Sequence, residues 1–132
     1  MIAVLQPRPE PGPPQPWSFP EVRRIHLGNG TAALLCHLPT RPVVAVHLIL
    51  DIPRELEPKG LDGVAAITAS ALREGTATRD AEAFSEALES RGTTLGAHAG
   101  EAGVRVAVGV PVSRLHAALD LLTEAVSQPV FP

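Results

Sequence analysis

Hydrophobic residues in several parts of this chain follow the pattern of β-strands. Residues 41–52, RPVVAVHLILDI, are rich in valine and isoleucine and are apolar on both faces, which predicts a strong strand. Before them, RRIHLGNGTAALLCHL places Asn29-Gly30 between two apolar runs, and this pair favours a tight hairpin turn. Later, TTLGAHAGEAGVRVAVGVP predicts two strands around a glycine-rich turn. One side of the second of these strands is formed by Val104, Val106 and Val108.

Three other segments predict α-helices. Residues 63–74 form the first helix, with Asp62 as a suitable N-cap and Gly75 as its end. Residues 80–90 form the second helix, which Gly92 follows. Its apolar face consists of Phe84, Ala87 and Leu88. The third helix, residues 112–127, is amphipathic, and its apolar face consists of Leu115, Ala118, Leu119, Leu122 and Val126.

The order of these elements predicts the fold class. Strands, two helices, two strands and a helix indicate an α+β two-layer sandwich, with a mostly antiparallel sheet and helices packed on one face. We expect this domain to span residues 21–132. Residues 1–20 hold seven of the 14 prolines and predict an extended, polyproline-like arm. We expect Trp17 and Phe19 to anchor that arm on an apolar surface.

Composition excludes some classes of function. The net charge of −3 and the lack of a basic block argue against nucleic-acid binding. A single cysteine, Cys36, rules out an intramolecular disulfide, and its apolar surroundings predict a buried thiol. No apolar run approaches the ~18 residues of a membrane helix, and the N-terminus does not have the pattern of a secretory signal, so we expect a cytoplasmic protein without membrane contact.

The first predicted helix carries a notable set of small residues. Ala66, Ala69 and Ser70 have the i, i+3, i+4 spacing that places residues on one helical face. A zinc-binding helix with the motif H-x-x-E-H has histidines at the first and last of these positions and a water-activating glutamate between them. Alanine has no donor atom and a serine hydroxyl is a poor zinc ligand. The same residues also fit ordinary close packing of a small-residue stripe against the sheet.

In the order of its motifs the chain resembles the N-terminal part of a pitrilysin or insulinase-type zinc metallopeptidase domain. The resemblance covers residues 21–132 and is carried by LGNGTAALL, RPVVAVHLIL, GLDGVAAITASALREGT, ALESRGTTLGAHAGEAGVRVAVGVP and LLTEAVSQPVFP. Active members have Gly-x-Ala-His-x-x-Glu-His followed by a Gly-Thr pair. This frame is matched here by Gly63, Ala65, Gly75 and Thr76.

The resemblance implies a degenerate site. Ala66 and Ser70 stand where the two histidine ligands would be, and Ala69 stands where the general base would be. The family's third ligand, a glutamate well downstream, would fall beyond residue 132, so we expect the chain to be shorter than a full domain. No zinc or other cofactor is expected in this chain, and zinc is expected only in an active partner.

The histidines offer little to replace the missing ligands. No two are three or four residues apart among His26, His37, His47, His98 and His116. A pair formed by His37 and His47 on neighbouring strands is geometrically possible, but zinc hydrolysis is not supported. The resemblance implies that Gly96, Ala97 and His98 lie where active relatives line the substrate chamber, which makes them candidate peptide-contacting residues. The alternative for His98 is a solvated turn residue.

The function that the resemblance implies is that of a non-catalytic family member, as in the inactive subunits of processing peptidases. Its partners would be an active zinc-peptidase subunit, or the second half of a clamshell, and an extended peptide bound as an added strand. A homo- or hetero-oligomer is expected, and the acidic balance would favour basic peptides weakly at most. The alternatives are a metalloendopeptidase whose zinc site lies outside this chain and an assembly domain that uses the proline-rich arm.

Overall fold

The computed structural model describes residues 10–14 and 16–131. They belong to two units, one that ends at Pro39 and one that begins at Thr40. The first unit contains the strands β1 (Val22–His26) and β2 (Ala32–Cys36), which pair antiparallel.

A five-residue loop, residues 27–31, joins β1 to β2 and confirms the predicted hairpin. The Gly30 N–H donates to the carbonyl oxygen of Leu27 at 2.9 Å, and the Leu27 N–H donates to that of Thr31 at 2.8 Å. Gly30 has a φ of +86°, in the left-handed region that glycine adopts without steric cost. The side chain of Asn29 accepts a further hydrogen bond from the Thr31 N–H at 3.0 Å.

Two predictions for this first unit are wrong. Cys36 is a free and exposed thiol rather than a buried one, because a two-stranded hairpin has no second layer of its own to cover it. Trp17 and Phe19 are 77% and 74% exposed and pack edge-to-face on each other, with ring centroids 5.7 Å apart, so they are not buried anchors. Residues 1–9 and 15 of the predicted arm lie outside the described residues.

The second unit has three strands and three helices. The strands are β3 (Val43–Leu50), β4 (Gly96–Gly100) and β5 (Gly103–Pro111), in the antiparallel order β3-β5-β4. The helices are α1 (Val64–Ala71), α2 (Ala81–Glu89) and α3 (Leu115–Ser127), with short 3₁₀ helices at Arg54–Leu56 and Val112–Arg114. α1 packs mainly against β4, and α3 packs against β5. This arrangement confirms the α+β two-layer fold.

The central strand β5 supplies much of the core. Its alternate residues Val104, Val106, Val108 and Val110 are each at most 7% exposed, which confirms the predicted alternation and extends it by one residue. Phe84 of α2 is fully buried in the same core. Burying a side chain of this size stabilises a fold by about 1.5–3 kcal/mol.

Strand β3 confirms the predicted strong strand, but among the described residues only one of its two apolar faces is covered. It lies at one edge of the sheet, and only alternate residues are half-buried. On its other face, Val43 and Ile49 are 58% and 57% exposed. The apolar run was therefore correctly assigned to a strand, but one of its faces is not covered by the described residues.

The apolar face of α3 is centred differently from the prediction. Ala118 and Leu122 are buried as expected, but Leu121 and Ala125 are buried as well. The residues Leu115, Leu119 and Val126 are only half-buried at its margin. The predicted helical periodicity is correct. The contact of α3 with β5 determines which residues of the apolar face are buried most deeply.

Helix α1 begins and ends differently from the prediction. Its N-cap is Gly63, with a φ of 90° and no side-chain cap, so the expected Asp62 cap is wrong. The carboxylate of Glu57 instead accepts the N–H groups of Gly63 at 3.1 Å and Ala65 at 3.0 Å. This carboxylate satisfies amides that the helix itself leaves unpaired. The helix ends at Ala71 rather than at residue 74, and the exposed Glu74 follows in a turn.

Helix α2 has the expected boundaries within one residue. The side chain of Asp80 caps it by accepting the Ala83 N–H at 2.9 Å. After its end Gly92 adopts a φ of 68°, and its N–H donates to the carbonyl of Glu89.

A polar cluster joins the segment after α1 to α3. The Glu124 carboxylate accepts the hydroxyls of Thr76 and Thr78, each at 2.5 Å, and pairs with the guanidinium of Arg79. Burial acts to raise the pKa of Glu124, but these hydrogen bonds and the Arg79 charge outweigh it and lower that pKa below the usual 4.5. The ionised form is therefore the one that the fold stabilises.

We expect this cluster to make stability depend on acid. Because the folded pKa of Glu124 is depressed, its contribution is present above the unfolded pKa of 4.5 and is lost as pH falls through the folded value. Glu124→Gln should cost about 1 kcal/mol at pH 7 and progressively less below pH 4.5. Urea unfolding across this pH range measures the difference. The control Glu86→Gln, at an exposed position of α2, should change stability little at any pH; an E124Q cost independent of pH would contradict the assignment.

Candidate peptide-binding site

The degenerate motif positions lie on α1. Ala66 and Ser70 are exposed, one helical turn apart, while Ala69 is only 2% exposed and faces the core. The Ser70 hydroxyl donates to the carbonyl of Ala66 at 2.9 Å, within its own helix. Of these three residues, only Ala69 therefore packs closely against the core.

No other side chains in the described part of the chain replace the missing ligands. Within residues 10–14 and 16–131, no group of three or more His, Cys, Asp or Glu side chains is placed to hold a metal ion. Two methyl groups and one hydroxyl bonded to its own backbone do not fit a zinc ion. This helix therefore has the residue spacing of a zinc-binding helix but none of the side chains that would bind zinc.

Histidines introduced at the two exposed positions should create a zinc site. In Ala66→His/Ser70→His the imidazoles would lie at i and i+4, where both can reach one ion. We expect zinc to raise the melting temperature of this variant, with about 2.7 kcal/mol of stabilisation at 100 times its Kd. Calorimetric titration and thermal unfolding with and without zinc measure the effect.

A matched variant separates chelation from the mere presence of two histidines. In Ala66→His/Ile67→His the side chains point in different directions, and Ile67 is 71% exposed, so the substitution should be tolerated. If this control bound zinc as tightly as Ala66→His/Ser70→His, the helical geometry of the motif positions would be wrong.

The candidate peptide-contacting residues lie together on β4. Gly96 and His98 are exposed and stand opposite Ala107 and Arg105 of β5, whereas Ala97 is half-buried and stands opposite Val106. His98 is thus part of the strand rather than of the turn that follows it. The structure brings Gly96, Ala97 and His98 next to α1, which packs against the same strand.

β4 is the second edge of the sheet. Among the described residues it pairs with β5 on one side only. An edge strand presents N–H and C=O groups that can pair with another chain. The strand reads Gly-Ala-His-Ala-Gly, so only the His98 side chain extends beyond a methyl group. A polypeptide could therefore approach this edge closely and pair with it as an added strand.

The sequence reasoning did not find an apolar cleft of about 320 Å³ beside α1. It lies between the end of β3, the segment before α1 and the C-terminal end of α3, and Leu56, Leu72 and Phe131 are among its lining residues. Glu57, the helix cap, also lines it. These residues come from distant parts of the chain, so no local pattern could have brought them together.

Comparison with known proteins finds solved structures with this fold. No family model and no curated protein sequence matches the chain. Among solved structures, the inactive domain of peptidase M16 from Pseudomonas fluorescens is similar at 25% identity over 85% of this chain, with a TM-score of 0.76. A protease from Helicobacter pylori shares the fold at 19% identity over 86% of this chain, with a TM-score of 0.74.

The chain is similar to an M16 peptidase domain, and we call it M16-like. M16 is the pitrilysin/insulinase family, so the resemblance carried by the sequence motifs is confirmed, including the lack of the H-x-x-E-H motif. Similarity to an inactive domain agrees with the prediction that this M16-like chain is not itself an enzyme.

The M16-like chain spans 27% of the length of each of these two structures. The similarity therefore describes this domain and not the activity, substrates or partners of a whole protein. Within the part of the chain that the structure describes, no helix is long and apolar enough to cross a membrane.

Proposed function

We propose that this chain is a non-catalytic M16-like domain that binds an extended peptide along β4 and assembles beside an active zinc-peptidase subunit. One observation carries the proposal: the helix whose ligand positions hold Ala66 and Ser70 packs against a free-edged strand. The helix positions that would bind zinc carry no ligand side chain, and the edge of β4 beside that helix would hold the polypeptide.

Binding by strand addition needs only backbone groups on the protein side. Alternate N–H and C=O groups of β4 would form the ladder with the peptide, and the small side chains of Gly96, Ala97 and Ala99 allow close approach. The active partner would supply zinc and the water-activating base. This chain would supply the wall that orients the peptide in a homo- or hetero-oligomer, with a role in protein processing. A cytoplasmic location stays a prediction.

Peptide binding is tested with the purified chain and fluorescent extended peptides, read by anisotropy. We expect binding without hydrolysis, and loss of binding when peptide N–H groups on the pairing edge are N-methylated, because that edge can no longer donate to β4. Methylation of the opposite edge is the matched control. Equal binding by both methylated peptides would contradict strand addition.

The non-catalytic role is tested by activity and metal content. We expect no stoichiometric zinc in the purified chain, and chelator-sensitive peptide hydrolysis only when a companion with an H-x-x-E-H motif is added. One tightly held zinc per chain, or chelator-sensitive hydrolysis by this chain alone, would overturn the proposal.

A second candidate is a metalloendopeptidase whose zinc site lies outside this chain. The chain covers 27% of each structural neighbour. Most of a protein of that length would lie outside this segment, and a zinc site could lie there. Hydrolysis by a longer protein containing this segment, without any companion, would support this candidate over the first.

A further inference from the structure

The face of the sheet opposite the helices carries a short row of side chains that crosses all three strands. Ile49 of β3 stands opposite Arg105 of β5, and Arg105 stands opposite His98 of β4. All three are exposed. The row ends at the free edge of β4, so a strand added there would place one residue directly beside His98.

The charge of this face is of one sign. None of the strand residues that point away from the helices is acidic. The nearest acidic residues in sequence, Asp51 and Glu101, follow β3 and β4 outside the strands. Among the described residues the Arg105 side chain makes no hydrogen bond within 3.5 Å and no ion pair within 4.0 Å, although its backbone pairs with β3 and β4. Its guanidinium is therefore available to a ligand.

We propose that the β4 edge selects a peptide with a carboxylate side chain at the position opposite His98. This inference rests on the proposed function. A residue directly opposite would have its Cβ about 4.5–5.5 Å from that of His98, within contact of the imidazole. Arg105 lies one strand further in, so its backbone is about 10 Å from the peptide backbone. The long arginine side chain and an aspartate or glutamate side chain of the peptide extend toward each other across this distance.

Selection should be strongest at one peptide position. The neighbouring outward positions on β4 are Gly96 and Gly100, which carry no side chain. At Gly96 a Cβ would meet only the carbonyl oxygen of Ala107, at 3.9 Å, so a peptide residue opposite it should be tolerated whatever its size. At Gly100 a Cβ would lie 3.9 Å from Nε2 of His98, so the imidazole leans toward that position. The imidazole and the guanidinium therefore act together on the residue opposite His98.

The positive charge beside β4 favours a different kind of peptide from the one that the net charge of the chain favours. A net charge of −3 favours basic peptides weakly. Exposed charges further away than about 8 Å are largely screened at physiological salt, so the cationic side chain near β4 outweighs acidic residues spread over the rest of the chain. An acidic residue at one site is therefore expected despite the acidic balance.

The test uses three extended peptides that differ only at the central position, which is Asp, Asn or Lys, with binding measured by anisotropy. We expect the Asp peptide to bind roughly two- to fivefold more tightly than the Asn peptide and the Lys peptide to bind most weakly. Raising the salt to about 0.5 M should shrink this difference. The variant Arg105→Gln should abolish the preference for Asp over Asn, and His98→Gln should reduce it.

Lys59→Gln is the control, because it removes one positive charge from an exposed loop residue. It should keep the preference for Asp, whereas an equal loss in this control would assign the effect to net charge and overturn the inference. Binding with equal affinities for Asp, Asn and Lys peptides would overturn the inference and leave strand addition standing. No binding by any peptide would overturn both.

Discussion

Replacing Gly103 with alanine is expected to destabilise the second unit by about 3 kcal/mol or more. Gly103 opens β5 with a φ of +117°, which L-residues with a side chain rarely adopt. A Cβ built there would also lie 2.2 Å from the carbonyl oxygen of Leu50, a backbone atom of the neighbouring strand. Relief would require β3 and β5 to separate where they pair.

Thermal and urea unfolding followed by circular dichroism measure this effect. A loss of 3 kcal/mol corresponds to a fall of at least about 12 °C in melting temperature for a unit of this size. Gly109→Ala is the matched control in the same strand, since its Cβ would meet nothing within 4 Å and its φ is not positive. We expect that variant to be neutral or up to about 1 kcal/mol more stable. Equal losses in both variants would show that strand propensity, and not the contact with Leu50, controls stability.

The elements of this fold were predictable where local chemistry alone decides them. The alternation of valines in β5, the end of α2 before Gly92 and the glycine turn of the first hairpin each depend on neighbours within a few residues. The structure bears out all three. The α+β class followed from the order of such elements.

The errors fall where distant residues decide the outcome. Asp62 has the right position for an N-cap, but the chain turns at Gly63 and the amides of α1 reach Glu57 instead. Exposure of Cys36 depends on which layers exist to cover it, and hydrophobicity does not encode this. Deep burial of Leu121 depends on which side of α3 packs against β5.

The candidate site was predictable in part. The positions of Ala66, Ala69 and Ser70 follow from helical spacing, and the structure shows that the first and last are exposed while Ala69 is buried. Placement of His98 beside Arg105 required the register between β4 and β5, which no local pattern specifies. The charge that we expect to select a peptide could therefore be recognised only after the strands were paired.

Replacing Phe84 with alanine is expected to cost about 3–5 kcal/mol, because a fully buried ring would leave a cavity among packed neighbours. Aromatic residues make up 3% of the chain, and Phe84 is among its largest fully buried side chains. The surrounding core is built from valine, leucine and alanine, which cannot close a cavity of that size by changing rotamer.

Urea unfolding of Phe84→Ala, Phe84→Leu and Ile67→Ala measures how much of this cost is due to burial. Phe84→Leu keeps most of the volume and should cost less than Phe84→Ala by at least about 1 kcal/mol. Ile67 lies on α1 and is 71% exposed, so its truncation should change stability by no more than about 0.5 kcal/mol. A Phe84→Ala cost no larger than that of Ile67→Ala would mean that the Phe84 ring is not buried in the core as described.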